Sequence, residues 1–440
     1  MKGDESGPHA PDSALFESVY ERANAWSRAR GYAGHDPFDA LNSRLFQSTP
    51  LNRSRLARLA WTQAFKRSPL SPRSLALVPA GRNSKGTALF ALAALSRFRA
   101  TRDAVYADEA HALLEDLLGA RIETASGAAW GYNFDWQGRA FYAPRGTPTV
   151  VPTAFAVRAL VEVVKAFGAD AGVGAARVES GKYLEAARSA CEFIVKDLNR
   201  GKESGEDVCF SYTPLDRTRV FNASLLAGEA LATVGAAVGK DEWVEEGLRA
   251  ALYVARRQRE DGSWAYGADS YQSWADNFHT AFILTSLARI LDSCGDGTRA
   301  LASAEHEGGA VVNRPGPVEN HNETYDELRR ARARGYAFWR SSFFLADGWP
   351  KYYHRAAYPA DAHSAGAAVV AFAELKDAEP DALELARRVS RWAVRELFDR
   401  RGFFYYQRRR LYTVRTPYMR WSQGWMTYAL ARLLEVIGER

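Results

Sequence analysis

Six stretches of the chain carry Ala and Leu three and four residues apart on more than one face: TALFALAALSRF, VPTAFAVRALVEVVKAF, NASLLAGEALATV, HTAFILTSLARIL, SAGAAVVAFAEL and SQGWMTYALARLLEVI. Apolar residues all round predict helices covered on two sides. Between them lie charged, one-faced segments, DAVYADEAHALLEDLL, YLEAARSACEFIVKDL, DEWVEEGLRAALYVARRQ and ALELARRVSRWAVRELF, which predict helices with one wet side. Counted between the comparable positions Thr87, Thr153, Asn222, His279, Ser364 and Ser422, the apolar segments recur at intervals of 66, 69, 57, 85 and 58 residues. A coarse repeat of one apolar and one charged helix predicts stacked helical hairpins, each needing its neighbours to bury a face.

The loops repeat as well. GAAWGYNFDW, DVCFSYTP, DGSWAYG, DGWPKYYH and RGFFYYQ each place Gly or an acidic residue and then aromatics between a charged helix and the next apolar one, a pattern of short extended turns. Six inner helices ringed by outer ones predict an all-α (α/α)6 toroid with short β-hairpin loops collected at one end. Residues 1–80 contain the helical segments ALFESVYERANAWSRARGY and RLARLAWTQAFKRS, expected to supply N-terminal outer helices. No Pro/Gly/Ser-rich linker interrupts the chain, so residues 1–440 are expected to form a single domain. GGAVVNRPGPVENHNET, 308 to 324, falls in the longest interval and reads as an insertion loop.

Composition narrows the function classes. The chain has 12 Trp, 20 Tyr and 22 Phe, a rich supply of rings, most of them expected to pack the core and the rest to offer flat surfaces on which the apolar faces of sugars pack. With 58 Lys and Arg against 52 Asp and Glu the net charge is +6, a mild tilt that suits an anionic ligand and equally a solvated surface. No nucleic-acid-binding motif occurs, and the basic run stops at Arg408, Arg409 and Arg410. Cys191, Cys209 and Cys294 are scattered and form no CxxC pair, so neither a disulfide framework nor a thiolate metal site is expected. The N-terminus lacks a secretory apolar core and no apolar stretch approaches the roughly 20 residues of a membrane span, which leads to the expectation of a cytoplasmic protein. Nothing in the pattern sets an oligomeric state.

On these segments and aromatic loops, residues 80 to 440 resemble the six-hairpin (α/α)6-barrel carbohydrate-active enzymes, a group that includes glycoside hydrolases, polysaccharide lyases and sugar epimerases. The C-terminal TPYMRWSQGWMTYALARLLE resembles the ending of uronate C5-epimerase-like proteins, and the whole chain resembles bacterial proteins of polysaccharide biosynthesis. QREDGSW, Gln258 to Trp264, matches the Gln-x-x-Asp-Gly-x-Trp repeat of triterpene cyclases. Their Asp-x-Asp-Asp acid is absent here, since Trp274-Ala275-Asp276-Asn277 offers one carboxylate, and the motif reads as a structural turn joining an outer helix to an inner one.

In such a toroid the loop-facing starts of the inner helices converge on a cavity. Those starts carry Asn222, Asp276, Asn277, His279, Asp361, His363, Arg420 and Gln423. Helix capping accounts for the Asn and Asp residues, but His279, His363 and Arg420 are poor N-caps. Histidine takes or delivers a proton near neutrality, which makes both histidines candidate catalysts. No ligand spacing accompanies them, so no structural metal and no cofactor are expected. In YNFDWQGRAFYAPRGTPT, Tyr132, Trp136, Arg139 and Arg145 form a candidate sugar-binding wall around Asp135, with Trp274 as a further ring. YYQRRRLYTVRTPYMRW adds Arg415, Tyr418, Arg420 and Trp421.

An acidic oligo- or polysaccharide partner follows from this abundance of Arg and Tyr. Removal of the proton beside a uronate carboxylate, leading to C5-epimerisation or β-elimination, needs a base such as His279, His363 or Tyr418 and a cation to hold the developing charge. A glycoside hydrolase would instead use a pair drawn from Asp135, Asp276 and Asp361. A silent glycan-binding protein and, last, a terpene cyclase complete the alternatives.

Overall fold

A computed structural model describes residues 10–138, 141–168, 180–202, 207–294 and 320–438. The described helices are α1 (Ala10–Arg28), α2 (Arg44–Gln47), α3 (Arg55–Arg67), α4 (Ser84–Thr101), α5 (Ala104–Gly119), α6 (Val150–Gly168), α7 (Ser180–Asp197), α8 (Phe221–Val238), α9 (Asp241–Ala255), α10 (Asn277–Cys294), α11 (Asn320–Phe343), α12 (Ala362–Glu374), α13 (Ala382–Leu397) and α14 (Trp425–Gly438). Strands are two or three residues long and pair antiparallel into small loop sheets. The fold class is all-α, as the periodicity predicts, and all six apolar segments are helices.

By contacts the chain divides into two compact units, residues 1–113 with 344–440, and residues 114–343. The second unit contains three hairpins, α6/α7, α8/α9 and α10/α11, whose inner helices pack in the series α6, α8, α10. α8 is buried from Phe221 to Gly235 because Ala, Leu and Gly occupy every face. Its approach to α9 is set by glycine: a Cβ on Gly247 would lie 2.5 Å from the Gly228 carbonyl oxygen. α8 is also the one described helix long and apolar enough to cross a membrane, and 83% of it is buried inside the protein. A carboxylate on this helix links all three inner helices. Glu229 receives a bidentate pair from Arg158 of α6 at 2.6 and 2.8 Å, and from α10 a 2.6 Å hydrogen bond from Ser286 and an ion pair from Arg289.

In the first unit α14 packs against α4, α12 and α1, and α12 packs against α13. α1 thus lies on an inner helix, while α3 packs instead on the turns at Asp39–Asn42 and Pro50–Arg53. The last inner helix begins earlier than Ser422, in a π-helical turn over Met419–Gly424 that runs directly into α14.

The densely charged α11 is an element that the apolar pattern did not single out. Its first residues, 320–324, were read as the end of an insertion loop, whose remaining residues 308–319 lie outside the described ones. The QREDGSW turn explains how α11 is held. Gln258 Nε2 donates to the Ala331 carbonyl at 2.9 Å, and Trp264 is buried with its Nε1 on the Val254 carbonyl at 2.9 Å. Gly262 turns the chain at φ +86°, where a Cβ would meet the Arg334 carbonyl oxygen at 2.6 Å. The motif fastens the end of α9 to α11, which is a structural task.

Candidate active site

The stretch WADNFH opens α10, and its geometry follows from one carboxylate. Asp276 precedes the helix and accepts the His279 backbone N–H at 3.1 Å through Oδ1, satisfying a free N–H of the first turn. Its Oδ2 accepts from Trp274 Nε1 at 3.1 Å and lies 2.7 Å from His279 Nδ1. A carboxylate on Nδ1 selects, for the neutral ring, the tautomer with its proton on Nδ1 and the lone pair on Nε2. Asp276 is 2% exposed through its side chain and His279 is 21% exposed, so the ring reaches solvent while its anchor does not. Nε2 makes no hydrogen bond among the described residues, an arrangement in which an imidazole oriented by a carboxylate can exchange a proton through Nε2.

Aromatic rings line this imidazole. Tyr266 stacks on Trp274 with centroids 4.7 Å apart at 12°, and its ring lies 4.7 Å from that of His279. Burial pushes the Tyr266 hydroxyl well above the ordinary tyrosine value, helped by the nearby charge of Asp276 and by Tyr132, so it stays protonated across the neutral range. Tyr132 in turn meets Tyr212 at 3.3 Å between hydroxyls, and Trp136 lies 5.0 Å from the Tyr212 ring. α8 begins beside Tyr266, since the Phe221 N–H donates to the Tyr266 carbonyl at 3.1 Å. The next residue, Asn222, is 4% exposed with its side-chain oxygen buried and without a hydrogen-bond partner among the described residues.

Within the second unit, therefore, Asp276, His279, Trp274, Tyr132, Trp136 and Asn222 gather along one set of loops and helix starts. Tyr266 and Tyr212 join them from the DGSWAYG and DVCFSYTP loops, where the aromatic pattern signalled rings without ranking them. Asn277 faces elsewhere: it is fully buried and its Oδ1 accepts Trp339 Nε1 of α11 at 3.0 Å. Asp135 accepts the Arg145 backbone N–H at 2.8 Å and so braces the hairpin around Trp136–Gln137 and Tyr142–Ala143, leaving the Arg145 side chain exposed. Arg139 lies outside the described residues.

The other predicted residues belong to the first unit, where all but Arg415 are buried. Arg420 clamps Asp36 with bonds of 2.7 and 2.8 Å. Arg73 spans Asp39 at 2.7 Å and the Tyr418 hydroxyl at 2.8 Å, and burial pushes that hydroxyl up to about 12. Gln423 spends its amide on Phe404, donating to the carbonyl at 2.7 Å and accepting the N–H at 2.9 Å. His363, 1% exposed, lies edge-on to Trp421 at 4.1 Å and stacks on Trp425 at 4.9 Å. Trp421 Nε1 donates to Asp361 at 3.1 Å, and Asp361, which also caps α12 through the Ser364 N–H, has its carboxyl pushed up by burial. Arg415 is exposed with its guanidinium 5.6 Å from the Tyr405 ring.

Lys66, at the end of α3, escaped the sequence reading. Its ammonium sits 4.3 Å over the Phe38 ring and 5.7 Å from that of Trp421. Burial lowers it to about 8 although Asp361 and Asp36 pull the other way. Among the described residues no three His, Cys, Asp or Glu side chains gather as a metal-binding group.

No family model matches the chain and no curated protein matches it significantly. Solved structures do. A sugar epimerase from a ruminal bacterium aligns over 82% of this chain and 88% of its own with TM-score 0.57 and 14% identity. A possible member of the GH105 family from Salmonella enterica aligns over 99% and 96% with TM-score 0.58 and 10% identity, and a polysaccharide lyase over 97% of each chain with TM-score 0.54 and 8% identity. At these identities the likeness establishes the fold: the chain has the (α/α)6-barrel fold shared by these structures.

Proposed function

We propose that this chain is a carbohydrate-active enzyme that moves a proton at carbon 5 of a uronic-acid residue in an acidic glycan, by epimerisation or by β-elimination. The reading rests on the Asp276–His279 pair, an imidazole anchored through Nδ1 and partly exposed beside the Tyr266 ring. His279 Nε2 takes the C5 proton and the electron pair passes toward the carboxylate as an enolate. In elimination the C4=C5 bond then forms as the C4–O bond breaks, and a protonated group delivers a proton to the leaving oxygen. In epimerisation the same carbon is reprotonated from its opposite face. Tyr266, held protonated beside His279, is the donor we assign to either outcome.

Trp274, Tyr132 and Trp136 offer the ring faces on which a sugar packs, the buried Asn222 oxygen can accept a sugar hydroxyl, and the exposed Arg145 can meet the carboxylate. Similarity to a sugar epimerase, a D-mannose isomerase and a polysaccharide lyase agrees with proton-transfer chemistry on this fold.

The test is a screen of acidic and neutral polysaccharides for unsaturated ends, reducing ends and altered uronate stereochemistry, with His279→Ala and Asp276→Asn alongside the wild type. Turnover by the wild type, with loss of turnover but retained glycan binding in His279→Ala, is expected. Saturated reducing ends made equally well by His279→Ala would replace this reading with hydrolysis by carboxylates.

A further inference from the structure

The positive charge of this protein is concentrated in one part of the first unit. Residues 40 to 82 contain eight Lys and Arg and no Asp or Glu; Arg73, buried on Asp39, and Lys66, over the Phe38 ring, are turned inward, and the other six are arginines at least partly exposed. Since the whole chain has 58 basic and 52 acidic residues, what remains outside is 50 against 52. The same stretch holds six of the 14 strongly exposed large apolar side chains among the described residues, all leucines.

These leucines are not the remnants of an unfinished core. The stretch has its own, in which Trp61 packs on Ala40, Phe65, Ala76 and Val78 and donates to the Ala40 carbonyl at 3.0 Å. Hydrogen bonds hold the segments that carry the leucines left outside. Ser43 Oγ donates to the Ala76 carbonyl at 2.6 Å and the Arg44 N–H to the Leu77 carbonyl at 3.3 Å, which ties the segment before Leu45 to the one that carries Leu75 and Leu77. Arg58 reaches the Asn52 carbonyl at 2.8 Å and so holds Leu51 to the start of α3, where Leu56 is 77% exposed. The Tyr412 hydroxyl donates to the Arg67 carbonyl at 2.9 Å, which docks the 407–414 hairpin, with Leu411 89% exposed, on the end of α3. Arginine accompanies these side chains along the chain: Arg44 precedes Leu45, Arg55 precedes Leu56 and Arg410 precedes Leu411.

We propose that this lobe is a docking surface for an anionic lipid bilayer. Its leucines would enter the boundary between headgroups and acyl chains, and the arginines beside them would face lipid phosphates. A protein partner calls for one contiguous apolar core with a charged rim. Single leucines dispersed among arginines, with no acidic residue between, suit a fluid anionic interface that needs no shape complementarity.

The experiment is flotation of the full chain with vesicles of neutral phosphatidylcholine and with vesicles containing phosphatidylglycerol, at low and high salt. Binding to the anionic vesicles, absent on neutral ones and weakened by salt, is expected. At about five-fold per arginine, the triple variant Arg53→Gln, Arg55→Gln, Arg67→Gln should bind roughly a hundredfold more weakly. Leu56→Ser with Leu75→Ser should bind at least tenfold more weakly with unchanged circular dichroism and melting. A control of equal charge change in the second unit, Arg188→Gln, Arg249→Gln, Arg329→Gln, should leave binding within about two-fold. Equal binding to neutral vesicles, equal loss in the control, or retention on an acidic polysaccharide column without vesicle binding would overturn the proposal.

Discussion

Glu229 is the residue whose removal should cost the second unit most. Its carboxylate is 6% exposed and the Arg158 side chain 4%, so truncation to alanine leaves a guanidinium desolvated without its counter-ion. Arg289 keeps Glu162 at 2.7 Å, and Ser286 loses its acceptor, so the main loss is borne by Arg158. Breaking one side of a buried pair typically costs about 3–5 kcal/mol, which for a unit of this size lowers the melting temperature by roughly 6–20 °C. Replacing both partners, Glu229→Met with Arg158→Met, should recover most of that loss because no buried charge is left unpaired.

The pH dependence has a definite sign. Burial pushes the Glu229 carboxyl upward, but Arg158 and Arg289 outweigh it and hold it below its ordinary value of 4.5. Its stabilising contribution is therefore complete above about pH 4.5 and is lost as pH falls through the lower folded value. Urea unfolding of the wild type, both single variants and the double variant gives the coupling directly. A Glu229→Ala loss below about 1 kcal/mol, or a double variant no more stable than the singles, would refute this view of the three inner helices.

Two further outcomes follow from local packing. A Cβ on Gly335 would lie 2.2 Å from the buried Trp264 ring, so Gly335→Ala should cost about 1–3 kcal/mol in thermal unfolding, whereas Gly181→Ala, open on all sides, should not destabilise. Lys66, lowered to about 8, should be the lysine modified fastest by a mild amine reagent, with a labelling rate that rises through about pH 8. Peptide mapping that finds Lys66 labelled no faster than other lysines would contradict the buried placement of its ammonium.

The inner helices were legible because Ala and Leu on every face can only mean burial on two sides. α11 carried its signal too: Leu328, Ala331, Gly335, Trp339 and Phe343 recur at helical spacing, but the charges of DELRRARARGY and the preceding Gly- and Pro-rich run obscured them. Asp276 and His279 were legible as a pair because they lie three residues apart and a helix start brings that spacing together. Arg420 and Gln423 were legible as belonging to a helix start and Tyr418 to the loop before it, but the partners they meet were not. Arg420 meets Asp36 across 384 positions and Tyr418 meets Arg73 across 345, pairings that no local pattern encodes. The same distance conceals Lys66, whose environment is made by Phe38, Asp361 and Trp421.

The most direct measurement is incubation of an acidic polysaccharide panel in D2O with wild-type protein and with His279→Ala, read by NMR at the uronate C5 position. Deuterium at C5 or unsaturated ends with the wild type, and neither with His279→Ala, is the result expected of an Asp276-oriented base. Solvent deuterium or unsaturation appearing at the same rate without His279, or cleavage of the glycan with neither, would contradict it.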